Sequence, residues 1–303
     1  MTEYSVSMVV PTRNRGYALM EVMDSWYAQA DVSEIVVVDD AGRDNTAQIV
    51  EEFARRYPAV STKLLRNEKR KGAAYSRLAG VTAATNEIIL FCDDDDFLGP
   101  DYARVLRRKM EEHRASIVSG RHFYRLRGET VQDAIGRFGD GLVHQPPFDK
   151  LRFRLNINAR CKGDVDLPFT HGIFMASRSL LLAYGMDPFY ARGNGFREES
   201  DFQMRAFLDG HRIVMTNDAH AVHLHPSEVK SGGQRVNRLQ RFYWTIRYTS
   251  YFYRKYFDRA KPRLGIRYSR SMALLFFFLT EVYVFFIRPF FVLTRQMMGC
   301  RRP

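Results

Sequence analysis

The chain has 303 residues, 46 % hydrophobic and 26 % charged, the proportions of a packed globular protein. Disorder, collagen-like sequence and a small disulfide scaffold are excluded, and a mean hydropathy of −0.33 excludes a polytopic membrane protein. The formal charge is +12 and unevenly placed: residues 230–303 hold 16 Lys/Arg against Asp258 and Glu281, a net of +14, and the first 229 residues come to −2.

The body alternates between two periods. Tyr4–Val10 reads as an apolar strand ending at Pro11, and Ala18–Ala28 as a helix with Leu19, Val22, Met23 and Trp26 on one face. Glu34–Asp39 is a β-branched run of the kind found in buried parallel strands. Asn45–Tyr57 is an amphipathic helix stopped by Pro58. Strand Thr62–Arg66, helix Ala73–Ala84, strand Glu87–Cys92, helix Asp101–His113 and strand Ser116–Gly120 follow. Such alternation predicts an α/β fold, a mostly parallel Rossmann-like sheet with helices on both faces. Ligands of such sheets bind beyond the carboxyl ends of the strands. No GxGxxG or GxxxxGK[ST] is present, so the usual dinucleotide and P-loop modes lack support. Residues 121–170 show no clear periodicity.

Cys92, Cys161 and Cys300 are scattered, with no CxxC pair, which points to a reducing compartment and away from structural zinc. The N-terminal residues have no basic start and long apolar run of a secretion signal.

Of the 41 aromatic residues, 18 fall between Phe242 and Phe291, so the tail is both basic and aromatic. That composition suits single-stranded nucleic acid or a membrane surface. Met272–Ile287 favours the membrane. Its 16 residues make about 24 Å of helix, short of the ~20 residues of a full crossing. Glu281 lies inside it, and Arg288–Pro289 separate it from Phe290–Leu293. The reading is a helix lying in or dipping into one leaflet, flanked by Arg267, Arg270, Arg295, Arg301 and Arg302. A full span and a core helix packed on the body are the alternatives, and nucleic acid is disfavoured.

Asp39 and Asp40 end one buried strand, and Asp93, Asp94, Asp95 and Asp96 end another. Four adjacent carboxylates repel one another, and a hard divalent cation such as Mn²⁺ or Mg²⁺ is a physical remedy. It would also stabilise a departing diphosphate. An acidic turn capping the next helix is the plainer alternative. Arg13, Arg15, Lys71 and Arg77, on other loops of the same sheet, favour a site.

Five segments now occur in order. VVPTRNRG (Val9–Gly16), VVVDDAGRDNT (Val36–Thr46), NEKRKGAAYSRLAG (Asn67–Gly80), ILFCDDDDFLGPDY (Ile89–Tyr102) and GFREESDFQMRAFLDGHRI (Gly195–Ile213) together resemble a family 2 glycosyltransferase of the GT-A fold, across roughly residues 5–225. Ala41–Gly42 stand where Gly–Ser is usual, Ser76 replaces Ala, and Leu78 replaces Asn.

The resemblance implies a nucleoside-diphosphate-sugar donor, UDP by default, and inversion at the anomeric carbon. By position it places Pro11, Thr12, Arg13 and Arg15 on the base and ribose side, Asp40 on the base with Asp39 beside it, and Lys71 and Arg77 on the nucleotide or its phosphates. Asp93 falls near the ribose, Asp95 on the metal, Asp94 in the variable middle of DxD, and Asp96 is structural. It aligns Glu199 with the catalytic base and Asp201 with the second acidic position. Glu198 is the alternative base, and glutamates in a first turn are also ordinary dipole partners.

HAVHLHP (His220–Pro226) offers a further metal ligand. If it is extended, His223 and His225 share one face, and His223 is the first choice. SGGQR (Ser231–Arg235) reads as a glycine loop over bound diphosphate, and Thr170–His171–Gly172 as part of the acceptor pocket.

The expected organisation is a nucleotide-sugar half (1–120), an acceptor and base half (121–229) and a membrane-associating tail (230–303). The expected function is transfer of a sugar to a glycan or lipid-linked acceptor at the cytoplasmic membrane face, peripheral or monotopic, in cell-surface polysaccharide or glycoconjugate synthesis. The alternatives are a sugar nucleotidyltransferase, disfavoured because PTRNRG stands where GxGxRL is usual, and a non-catalytic membrane or nucleic-acid adaptor.

Overall fold

The computed structural model describes residues 5–139, 146–156, 163–229 and 237–288. Ser231–Arg235, Cys161, Cys300, Phe290–Leu293, Arg295, Arg301 and Arg302 lie outside the described residues. The first half runs β1 (Val6–Thr12), α1 (Gly16–Tyr27), β2 (Val32–Asp39), α2 (Thr46–Arg56), β3 (Ser61–Arg66), α3 (Ala73–Ala83), β4 (Ile88–Phe91), β5 (Asp96–Leu98), α4 (Tyr102–His113) and β6 (Ile117–Tyr124). Then come α5 (Val131–Gly139), β7 (Phe148–Asp149), β8 (Arg154–Leu155), β9 (Val165–Asp166), β10 (Met175–Ser177), α6 (Arg178–Tyr184), a 3₁₀ turn (Pro188–Ala191), α7 (Glu198–Leu208) and β11 (Ile213–His223). The tail forms α8 (Arg238–Arg263) and α9 (Arg270–Val282), the latter continued by a π-helical turn (Tyr283–Ile287).

The main sheet has the order β3-β2-β1-β4-β10-β6-β11-β5, with β9 on β11. The half built from β3, β2, β1 and β4 is parallel, as the alternation implied. The other half is mixed. β10 is antiparallel to both β4 and β6, and β5 and β9 are antiparallel to β11. These antiparallel strands are two or three residues long, too short for a hydrophobic period to announce.

β1 continues two residues beyond the expected stop, through Pro11. The Val9 carbonyl accepts from Cys92 N at 3.2 Å, so alternation turns the Pro11 nitrogen to the same side, where β4 has already ended at Phe91. A missing N–H there breaks no ladder bond.

One sheet face buries Leu19, Val22 and Trp26 of α1, Ile49 and Phe53 of α2, and Tyr102 and Leu106 of α4. The opposite face buries Val81 of α3, Leu180 and Leu181 of α6, and Phe202 and Ala206 of α7. Each valine, leucine, isoleucine or phenylalanine side chain taken fully out of water contributes about 1.5–3 kcal/mol. Behind α7 lies a third cluster, where Met204 and Leu208 meet Phe252, Tyr253 and Phe257 of α8 and Phe277 of α9. The helix α8 is thereby packed on the element that begins with Glu198.

Candidate active site

The loops at the carboxyl ends of β1, β2 and β4 converge. Arg15 follows β1, and its Nη1 donates to Asp94 Oδ1 and, at 3.0 Å, to Asp95 Oδ2. Thr12 is buried against Asp94, and Arg13 is exposed at the rim. Asp39 Oδ1 accepts from Gly42 N at 2.7 Å, a contact that a Cβ on residue 42 would occupy at 2.4 Å. The left-handed turn residue is Ala41, at φ +57.

Asp40, expected at the nucleotide base, is engaged with the chain itself. Its Oδ1 accepts from Lys71 N at 2.7 Å and Asn67 Nδ2 at 2.9 Å, and its Oδ2 accepts from Gly72 N at 2.8 Å. It holds the turn into α3, where Gly72 sits at φ +91. The Lys71 ammonium turns to Tyr75 OH at 2.7 Å.

That turn aims α3 so that Arg77 points into the cleft, only 3 % exposed. Arg77 Nη2 donates to Asp93 Oδ1 at 2.6 Å; Nη1 meets Glu198 Oε1 and, at 2.9 Å, Glu199 Oε1. One guanidinium therefore gathers the first aspartate after β4 and both glutamates of α7. The resemblance placed Arg77 on the nucleotide; the structure makes it the counter-charge of three carboxylates.

The two glutamates differ in access. The Glu198 side chain is 4 % exposed and also accepts from the Ala74 amide at the start of α3. The Glu199 side chain is 21 % exposed. A Cβ on Gly172 would stand 3.1 Å from Glu199 Oε1, so this carboxylate lies along the Thr170–Gly172 segment. Burial raises the pKa of both glutamates, with Arg77 opposing. The His171 ring lies behind that segment, donating from Nε2 to the Gly120 carbonyl at 2.8 Å, and burial lowers its pKa to about 3.

Asp201, aligned with the second acidic position, points away from the cleft. Two residues along a helix turn a side chain by about 200°. Asp201 is fully buried on the far side of α7, accepting from Lys255 Nζ at 2.7 Å and Tyr190 OH at 3.1 Å.

Among the described residues, Asp95, Asp96 and His223 are buried and present ligand atoms within 4.8 Å of one another. β11 runs antiparallel to β5 with His223 opposite Asp96. His223 Nδ1 donates to the Leu224 carbonyl at 2.7 Å, and its Nε2 stands 3.2 Å from Asp95 Oδ1. An imidazole nitrogen and a carboxylate oxygen at this separation could share a cation. Asp96 Oδ1 accepts from His122 Nε2 at 2.7 Å, and its Oδ2 is buried without a hydrogen bond among the described residues. This donor set, oxygen with one imidazole, fits Mn²⁺ or Mg²⁺. Burial is the main cause in raising Asp94 to about 6 and lowering His122 to about 4. The acidic run caps no helix, since β5 intervenes before α4. His225 lies apart from the cluster: β11 ends at His223, so the alternation stops, and His225 Nδ1 pairs with Ser227 Oγ at 2.7 Å.

Sequence reasoning missed His122, which faces Asp96 because β6 pairs with β11 in parallel register. It also missed Arg197, Tyr190, Tyr248 and Lys255, which support the glutamates from behind. For Tyr248 and Lys255 the available signal is the helical spacing of Trp244, Tyr248, Tyr251 and Lys255 on α8.

Comparison with known proteins agrees with this architecture. A protein-family model described as glycosyl transferase family 2 matches residues 7–184. The glycosyltransferase GlyG of Streptococcus pneumoniae is 30 % identical over 119 residues, 39 % of each chain. The chain spans about two fifths or less of the length of the first curated relatives it matches. The crystal structure of S. aureus TarS 1–349 in complex with UDP superposes with a TM-score of 0.57 at 20 % identity, covering 93 % of this chain and 72 % of that one. The mannosyltransferase PcManGT from Pyrobaculum calidifontis, solved with GDP-Man and Mn²⁺, gives 0.58 at 18 % identity over 95 % and 72 %. These two likenesses show the fold, GT-A. With more than half of its length matched by the family model, the chain belongs to glycosyl transferase family 2.

Proposed function

We propose that this enzyme is an inverting transferase that moves a sugar from a nucleoside-diphosphate sugar, UDP-linked by default, to a hydroxyl of a glycan or lipid-linked acceptor. The observation that carries the reading is the Arg77 assembly, which sets the donor-side Asp93 and the acceptor-side Glu199 against one guanidinium. Glu199 is the base. It is the more exposed of the two glutamates, it borders Gly172, and burial raises its pKa toward the range useful for accepting a proton. Glu198, enclosed by Arg77 and the Ala74 amide, holds α7 to α3. Asp93, 33 % exposed, contacts the donor from its free edge.

Asp95 and His223 would hold a divalent cation, with Asp96 beside them. When bound, the cation would supply positive charge to the leaving diphosphate. Arg15 balances Asp94 and keeps the aspartate run compact. The Mn²⁺ present with GDP-Man in the mannosyltransferase supports both donor and cation, and the UDP bound to TarS supports a uridine donor.

The functional division we infer is donor residues 1–120, acceptor residues 121–229 and tail 230–303. The tail's partner is a membrane surface at the cytoplasmic face, where lipid-linked acceptors of cell-surface glycan synthesis are found. Arg270–Ile287 has a mean hydropathy of 1.7 and is only 22 % buried. Its inner face, Ala273, Phe277, Glu281 and Phe285, packs on the protein, and Glu281 meets Arg154 Nη1 at 3.2 Å. Its outer face, Leu275, Phe278, Leu279, Tyr283 and Phe286, is 40–53 % exposed and free of charge. A helix held to the body along one side lies on a bilayer rather than through it.

The test is a panel of UDP-GlcNAc, UDP-GalNAc and GDP-mannose, read by thermal shift with and without Mn²⁺. One donor is expected to raise the melting temperature only when Mn²⁺ is present. No shift with any nucleotide sugar contradicts the reading.

A further inference from the structure

The segment that delivers Glu198 and Glu199 runs from Asp187 to Asp201, and both of its ends meet one side chain of α8. Lys255 Nζ donates to Asp187 Oδ2 at 2.6 Å and to Asp201 Oδ1 at 2.7 Å. Each carboxylate has a tyrosine as second donor, Tyr251 OH on Asp187 at 2.9 Å and Tyr190 OH on Asp201 at 3.1 Å.

Between these two feet, residues 192–197 carry no helix or strand. Gly193, Gly195 and Arg197 all lie at positive φ, between +63 and +78. Contacts from α8 replace the missing ladder. Phe189 stacks on Tyr251 with ring centroids 3.8 Å apart. The Tyr248 hydroxyl donates to the Arg192 carbonyl, and Asn194 Nδ2 to Thr245 Oγ1 at 3.3 Å. Trp244 fills the space where a Cβ on Gly193 would come within 2.3 Å. Trp244, Tyr248, Tyr251 and Lys255 recur at i, i+4, i+7 and i+11, one stripe of one helix. From the other side, the Ala191 carbonyl packs on Gly72, where a Cβ would stand 2.7 Å away.

We propose that Lys255 is a positioning residue for the transfer step: by gripping Asp187 and Asp201 together it fixes the direction from which Glu199 meets the acceptor hydroxyl. The helix α8 is then part of the reaction site, and only α9 and the outer face of the tail are left for other work. Lysine suits the task, because its compact ammonium has three donors and can serve two carboxylates at once. Burial works against its charge, and the two hydrogen-bonded aspartates more than restore it. The inference rests on the reading of Glu199 as the base.

The experiment compares Lys255→Met and Lys255→Arg with the unaltered enzyme, as full chains, and repeats Lys255→Met in a Glu199→Gln background. UDP with Mn²⁺ is the binding probe, and release of nucleoside diphosphate from the donor selected by the panel is the rate. For Lys255→Met, UDP affinity and KM stay within about twofold while kcat falls about 10²-fold, the scale of a base displaced by an ångström. Lys255→Arg recovers most of the rate. In the Glu199→Gln background Lys255→Met brings no further loss, because no base is left to position. Amides of residues 192–199 exchange hydrogen faster in Lys255→Met, while those of β1 and β4 do not change. A near-normal kcat in folded Lys255→Met, or losses that multiply fully with those of Glu199→Gln, overturns the proposal. If Lys255→Met does not fold, Asp187→Asn, which frees one foot, carries the same comparison with a smaller loss. Near-normal turnover of Glu199→Gln by itself overturns the base assignment, and is read separately.

Discussion

Replacing Arg77 by Met tests the charge balance of the site. The substitution keeps an unbranched side chain and removes the guanidinium that pairs with Asp93, Glu198 and Glu199. Removing one partner of a buried ion pair costs about 3–5 kcal/mol, because a charge is left unpaired out of water. The site can relieve this by taking up a proton. Burial already raises both glutamates, and Arg77 is the main influence lowering them, so both rise further in the variant. A carboxyl whose folded pKa exceeds its unfolded value of about 4.3 keeps a proton that the unfolded chain has lost. Its contribution to stability is therefore lost as pH climbs from the unfolded pKa toward the folded one, by about 1.4 kcal/mol per pH unit for each proton retained. One additional proton held between pH 5 and pH 8 amounts to ~4 kcal/mol. Guanidinium titrations with linear extrapolation at the two pH values are expected to show Arg77→Met less stable than the parent by about 3–5 kcal/mol at pH 8 and by about 1 kcal/mol or less at pH 5. An equal loss at both pH values would refute the role of Arg77 as shared counter-charge.

Other outcomes follow from single residues. Glu199→Gln is expected to lower turnover by about 10²–10⁴-fold with UDP affinity unchanged. In the parent enzyme, kcat rises with pH along a limb whose midpoint lies above the ordinary carboxylate value of about 4.3, because burial raises Glu199 and the base must be ionised; a pH-rate profile locates that midpoint. Ala41 sits at φ +57, so Ala41→Gly is expected to gain about 0.5–1 kcal/mol in denaturant unfolding, the left-handed penalty less the added chain entropy. Serine at Leu275, Phe278 and Leu279 together should leave the melting temperature near that of the parent and lower co-sedimentation with anionic phospholipid vesicles about tenfold or more.

The parallel half of the sheet and helices α1 to α4 were legible because each runs for four or more residues, long enough for an apolar run or period to show. The placement of Arg15, Asp39, Asp40 and Asp93 to Asp95 was legible for the same reason: they stand at or just after the ends of strands that the pattern locates. What pairs across the chain was not. Nothing near Asp96 in sequence announces His122, since their meeting depends on the register of β6, β11 and β5. Asp201 shows the reverse case. Helical rotation between residues 199 and 201 was enough to send it away from Glu199, but the motif grouped them. The tail's composition was ambiguous because one stripe of α8 grips the Asp187–Asp201 segment while the basic residues on its other sides face outward, and a count of aromatics and cations does not separate the two.

In the proposed function, Asp95 and His223 hold a divalent cation on the donor side of a cleft that Glu199 faces. Anomalous diffraction from crystals grown with UDP and Mn²⁺ tests it most directly. One manganese peak is expected in direct coordination to an Asp95 oxygen and His223 Nε2, with the diphosphate beside it. A UDP complex whose manganese lies away from Asp95, or that binds UDP fully with no manganese at all, would contradict it.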